Sequence, residues 1–171
     1  MNTPSAVPNE GALAVSGQEA VAAMRLQVLA AARFKLAIHL PTLTSTTLSS
    51  PVELAELRRI AISGRGAEIR IVLGDPAAAM RAGHRLLDLA QRLPSAIRIR
   101  TPSDNDEESS ETNASAWLLN DTAGYLFLPN ADSWEGRAAL RDGPGLAPLL
   151  LQFEQIWERA APATLVQPLG L

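Results

Sequence analysis

Cysteine is absent from this chain, which removes disulfides, thiolate catalysis and every cysteine–zinc site at once. Lysine is nearly absent: of the 15 basic residues only Lys35 is not arginine. Histidine occurs twice, at His39 and His84, so base catalysis by imidazole has two places to act. Aromatic residues make up 4%, and Trp117, Trp134 and Trp157 stand too far apart to form a stacking platform by spacing. No apolar run reaches the roughly 18 residues needed to span a bilayer. The opening "MNTPSAVPNEGALAVSG" lacks the basic start and apolar core of a signal peptide. The expected location is cytoplasmic, with no membrane partner.

Signature motifs are missing too. There is no G-x-G-x-x-G after a strand, no phosphate loop, no G-x-S-x-G elbow and no H-E-x-x-H. Neither a cofactor, a metal nor a catalytic residue is assigned. A net charge of −3 gives no overall attraction to polyanions, so nucleic acid is not the expected partner. Arginine does fork onto phosphate and carboxylate. A GC-rich genome that encodes arginine and alanine freely is the plainer account of its abundance.

What is present is the grammar of one α/β domain. At 171 residues the chain is long enough to bury about two thirds of its unfolded surface. Residues 1–15 read as a flexible leader, 16–161 as the domain and 162–171 as a tail. Ser16 and Glu19 have capping-box spacing, and Val21, Met24, Val28 and Ala31 form one apolar helical stripe. "FKLAIHL" (34–40) reads as a buried strand. "SPVE" (50–53) opens a second helix with a serine cap and proline at the first position. "EIRIVL" (68–73) and "AIRIR" (96–100) are strands, the second alternating Ile97 and Ile99 with Arg98 and Arg100. Residues 101–114 carry five acids and no large apolar side chain, and read as a solvated acidic loop. "SAWLLNDTAGYLFLP" (115–129) reads as a hairpin. A Gly/Pro connector (142–148) then leads to a helix with Leu149, Leu150, Phe153, Ile156 and Trp157 at helical spacing. This alternation predicts a mostly parallel sheet with helices on both faces, plus a C-terminal hairpin and helix.

The stretch "GDPAAAMRAGHRLLDLAQRLP" (74–94) holds His84 and reads as one helix capped by Asp75. Met80, Gly83, Leu86, Leu87, Ala90 and Leu93 face inward, and His84 lies at the border with Asp88 four residues on. Two readings follow. In one, His84 is a helix-border residue hydrogen-bonded to its own helix. In the other, Asp88 orients it as a base beside Arg81 and Arg85, in an enzyme or binding protein for an anionic metabolite. A third reading places nucleic acid on Arg58, Arg59, Arg65, Arg70, Arg98 and Arg100, against the net charge. His39, inside a strand, reads as core.

Three stretches, "GDPAAAMRAGHRLLDLAQRLPS", "LLNDTAGYLFLP" with "ADSWEG", and "FEQIWERAAP", together resemble an uncharacterised bacterial domain with a phospholipase-D-like fold. That domain occurs alone or appended to GNAT acetyltransferases. The resemblance implies a half-domain that pairs with a second copy, so a homodimer and an acetyltransferase are the candidate partners. Phospholipase-D-like enzymes carry H-x-K-x-x-x-x-D motifs. With Asp121 matched to the motif's aspartate, its histidine falls on Ala114 and its lysine on Ala116. The resemblance therefore implies a non-catalytic binding or regulatory module, with His84, Asp88, Arg81, Arg85 and Asp121 as candidate ligand-binding residues.

Overall fold

The computed structural model describes residues 11–103 and 110–165. Most of the expected leader, the acidic core of the 101–114 loop and the end of the tail lie outside the described residues.

Three parallel strands form the heart of the molecule: β2 (Lys35–Leu40), β3 (Glu68–Leu73) and β4 (Ile97–Thr101). Helical crossovers join them, through α2 (Pro51–Ala61) and then the pair α3 (Pro76–Arg81) and α4 (Arg85–Arg92). Beyond β4 a five-residue helix, α5 (Ser110–Ala114), leads into a meander of β5 (Ala116–Asn120), β6 (Tyr125–Asn130) and β7 (Glu135–Ala139). The chain ends become edge strands. β1 (Leu13–Ser16) pairs with β7, and β8 (Ala161–Pro162) pairs with β4. The order across the eight strands is β1-β7-β6-β5-β2-β3-β4-β8.

The expectation of a mostly parallel sheet is corrected here: only the β2–β3 and β3–β4 pairs are parallel, and the other five pairs are antiparallel. The cause is local. Parallel neighbours need a long crossover, whereas the tight turns after Asn120 and Asn130 force each strand back beside the last. The two edge strands are short and carry no alternating pattern, so nothing in the sequence marks them.

Helices do cover both faces. The helix α1 (Gln18–Ala31) joins α2, α3 and α4 on one face, around Val28, Leu29, Leu57, Ile60, Ile71 and Leu86. The other face is covered by α6 (Gly143–Arg159), which packs Leu149, Phe153 and Trp157 against Ala37, Val72 and Leu119. Two helix starts differ from expectation. Gly17, which has no side chain to cap with, is the N-cap of α1 in place of Ser16, because Ser16 is engaged in β1 opposite Glu135. The Gly/Pro connector is already the start of α6: Asp142 accepts from Gly145 N–H and from the Tyr125 hydroxyl. Burial, helped by that carboxylate, pushes the Tyr125 phenol up to about 12.

Candidate ligand-binding cleft

His84 does not sit inside a helix. Gly83 adopts φ +65, a left-handed conformation that favours glycine, and breaks the stretch into α3 and α4. His84 then becomes the N-cap of α4: its Nδ1 accepts from Leu86 N–H at 3.1 Å. Its Nε2 lies 3.0 Å from the carbonyl oxygens of both Thr44 and Thr47. Two carbonyl acceptors on one nitrogen and an N–H donor on the other fix the proton on Nε2. The ring makes no hydrogen bond with Asp88, whose exposed side chain lies further along α4. With 6% of its surface exposed, His84 is a clamp on the 41–49 loop.

That loop forms one wall of an apolar cleft of about 70 Å³. The opposite wall is the sheet, through Ile38, Ala116, Leu118, Leu126 and Leu128, and Trp134 closes one end from the β6–β7 turn. Among the described residues three non-glycine residues have positive φ, and two of them line this cleft: Leu48 at +54 and Trp134 at +53. Left-handed backbone at such residues costs of order 1 kcal/mol or more and persists only where the surroundings impose it, often at functional sites.

Arg25 enters the cleft from α1, 7% exposed. Its Nε donates to Glu53 Oε1 at 2.5 Å, and its Nη2 donates to the Thr46 carbonyl at 3.4 Å. Glu53 in turn accepts from the Ser50 hydroxyl at 3.1 Å, while Ser50 Oγ accepts from Glu53 N–H as the cap of α2. The 41–49 loop is thus tied from both sides, by Arg25 and by His84. Neither Arg25 nor the cleft was visible in the sequence reading. The signal was there: an arginine in the middle of the Val21, Met24, Val28 stripe has to be buried, and a buried guanidinium needs a partner.

The other candidates lie elsewhere. Asp121 sits in the β5–β6 turn, its carboxylate accepting from the backbone N–H groups of Arg33, Phe34 and Lys35 at 2.8–3.2 Å. Partial burial pushes this carboxyl up, but the N–H donors outweigh it and hold it below the usual range. His39 lies at the carboxyl end of β2, stacked on Trp117 at 4.9 Å, with Nδ1 3.0 Å from the Ser115 carbonyl. Burial pulls its imidazole below the ordinary value. Arg85 and Asp88 line a groove between α2 and α4 with Arg58 and Arg92, whereas Arg81 is exposed on α3 outside it. His84 and Asp88 meet only along a shallow groove with Gln91 and Leu165. The structure therefore separates the five sequence candidates into a loop clamp, a turn anchor and three exposed helix residues.

Ala116 stands in the cleft wall, and Ala114 lies just before β5, its carbonyl accepting from Ala131 N–H at 2.9 Å. Among the described residues no group of three or more His, Cys, Asp or Glu side chains is placed to hold a metal. No helix there is long and apolar enough to cross a membrane.

Residues 17–169 match the family described as a domain of unknown function, DUF7931. No curated protein matches the chain. Among solved structures, TrmBL2, an archaeal chromatin protein with a novel mode of DNA binding, superposes with a TM-score of 0.63 at 16% identity. That match covers 94% of this chain and 57% of TrmBL2, so this chain spans little more than half of the chromatin protein. Nuc from Salmonella typhimurium, a phospholipase D family member, gives a TM-score of 0.57 at 11% identity, over 90% of this chain and 97% of Nuc. At such identities the likeness is one of fold, and the fold is phospholipase-D-like.

Proposed function

The chain belongs to the DUF7931 family, and from that premise we propose that it is a non-catalytic α/β binding module whose site is the cleft between the sheet and the 41–49 loop. The observation that carries this reading is Ala116. With Asp121 matched to the aspartate of the phospholipase-D-like motif, Ala116 falls at its phosphate-holding lysine, and Ala116 lines the apolar cleft. On the same match Ala114 falls at the histidine, and Asp121 is committed to three backbone donors. A site without the motif's histidine and lysine binds but does not cleave phosphodiesters by that route. In this reading occupancy is passed to a partner, an acetyltransferase or a second copy of the chain.

Two measurements test it. Amide NMR shifts under a fragment library are expected to cluster on Ile38, Leu48, Leu118 and Trp134, and to disappear in Ala116→Leu, which fills the cleft. Metal-independent hydrolysis of a chromogenic phosphodiester, lost in Asp121→Ala, overturns it.

A second reading has its own observation. Arg58, Arg85 and Arg92 surround the α2–α4 groove, exposed and without ion pairs among the described residues, with Asp88 the one acid lining it. The likeness to a DNA-binding chromatin protein removes the support for setting nucleic acid aside on net charge alone. Of the six arginines first considered, Arg59 pairs with Glu56, Arg70 with Glu154, and Arg100 donates to the Trp157 carbonyl. Duplex binding that weakens steeply with salt and falls in Arg58→Gln/Arg92→Gln supports this reading. Salt-independent or absent binding excludes it. An anionic-metabolite site at His84 has less behind it, since both ring nitrogens are occupied by the protein.

A further inference from the structure

The nucleic-acid reading of the α2–α4 groove uses only its arginines, and the floor of the groove points elsewhere. Between Arg58, Arg85 and Arg92 it is paved by Leu54 and Leu89, both half-buried, with Pro51 and Ala55 beside them. Among the described residues no aromatic side chain lines it for a base to stack on. Asp88 stands among the arginines, where it opposes a run of phosphates. Independently of the apolar cleft, we propose that this groove docks an acidic amphipathic helix of a partner protein, one that sets an apolar side chain between two carboxylates.

The placement of the charges carries the proposal. Both α2 and α4 are return crossovers between parallel strands, so they run side by side in the same direction. Pro51 and Arg85 are the first residues of the two helices, and Arg58 and Arg92 lie in their last turns. Seven residues of helix separate Arg85 from Arg92, about 10 Å at 1.5 Å a residue. The groove is therefore cationic at both ends and apolar between them. A helix laid along it has the same rise. Carboxylates seven residues apart reach the two ends, while the side chain three or four residues on meets Leu54 and Leu89.

Arginine in the last turn of a helix is explained by the fold, because a cation there offsets the negative end of the helix dipole. Arg85 has no such explanation. It occupies the first position of α4, the positive end, where a cation is disfavoured. Asp88 lies three residues on, yet among the described residues it forms an ion pair neither with Arg85 nor with Arg92. All three arginines are exposed, and arginine forks onto carboxylate in two parallel bonds. The groove measures about 420 Å³, within the roughly 300–1,000 Å³ usual for binding clefts.

The experiment is an NMR titration of the full chain at low salt with three alanine-based helical peptides. The first carries glutamate at i and i+7 with leucine at i+4, the second has glutamine for both glutamates, and the third has alanine for the leucine. The first is expected to shift the amides of Leu54, Ala55 and Leu89. It should bind about fivefold or more tighter than the glutamine peptide, the yield of one good exposed ion pair. Its lead over the alanine peptide should be about tenfold. Arg85→Gln is expected to reduce the glutamate preference while melting at the wild-type temperature or above, which an arginine needed for packing would not do. Ala116→Leu, which fills the apolar cleft, should leave peptide binding unchanged, so the two sites fail separately. Equal binding of the three peptides, or no shift in the groove, overturns the proposal. If a DNA duplex displaces the first peptide and the alanine peptide binds as well as the leucine one, the groove takes polyanions and the partner helix falls. Groove resonances that move with protein concentration instead of with peptide place a second copy there and also overturn it.

Discussion

On the α6 face of the sheet, charged side chains lie across the surface and grip the helix from outside. Arg70 forks onto Glu154, and Arg100 lies 4.2 Å from the Trp157 ring centre while donating to its carbonyl at 2.7 Å. On the α1–α4 face the polar groups are inside: Arg25, Glu53 and His84 are each under a tenth exposed. Both faces bury an apolar layer, the one under α1–α4 the larger, but the sharper difference is where the charges lie. The outer grip is wet and replaceable. The inner one holds charges that water no longer supports, and those charges order a loop instead of a helix. A buried ion pair is poor evidence for stability as such, and its use here is to keep the 41–49 loop in one place.

The largest break in this contrast is expected from Arg25→Met, which strands Glu53 in the interior. Urea unfolding should show a loss of about 3–5 kcal/mol, largely restored when Glu53 is also made apolar. A loss below about 1 kcal/mol would show that the pair fastens nothing. Next is His84→Ala, which leaves one amide and two carbonyls short of a partner. A cost of about 2–3 kcal/mol is expected, with faster hydrogen exchange at 44–48. A histidine with a single hydrogen bond to its own helix, the simpler of the two sequence readings, would cost only about 1 kcal/mol to replace. Asp88→Ala sharpens the point, since it should stay within about 0.5 kcal/mol of wild type. On the outer face Glu154→Gln should cost about 1 kcal/mol or less and shrink further with added salt, because Glu154 is 43% exposed.

The gentlest lever is pH. Burial holds His39 neutral below the ordinary histidine value, so the unfolded chain binds the extra proton first. Stability should therefore decline as pH falls through about 6.5, the unfolded value, and this first step should be missing in His39→Gln. A second decline belongs to the carboxylates. The hydrogen bond from Arg70 holds Glu154 low, and the backbone donors hold Asp121 low. Their contribution is present above about pH 4 and lost below it.

The sequence made the local rules legible: the strand Glu68–Leu73 is where the Ile69, Ile71, Leu73 alternation puts it, and Ser50 and Asp75 cap the helices they precede. What was not legible depends on partners distant in sequence. His84 binds carbonyls 37 and 40 residues away, and Arg25 binds a carboxylate 28 residues away. Helical periodicity carries no information about either. It also hides a break at Gly83, because α3 and α4 each continue an inward face. The hairpin turn was readable, but not that Asp121 reaches back 86–88 residues to anchor the start of β2.

The edge strands have a consequence of another kind. β1 and β8 close opposite margins of the sheet, and Pro162 presents no amide for a stray strand to pair with. The first described strand thus borders one margin, and the last borders the other. Seven interstrand spacings of about 4.8 Å set those margins roughly 34 Å apart. The described chain thus starts and ends on opposite margins of one sheet, a full sheet's width apart.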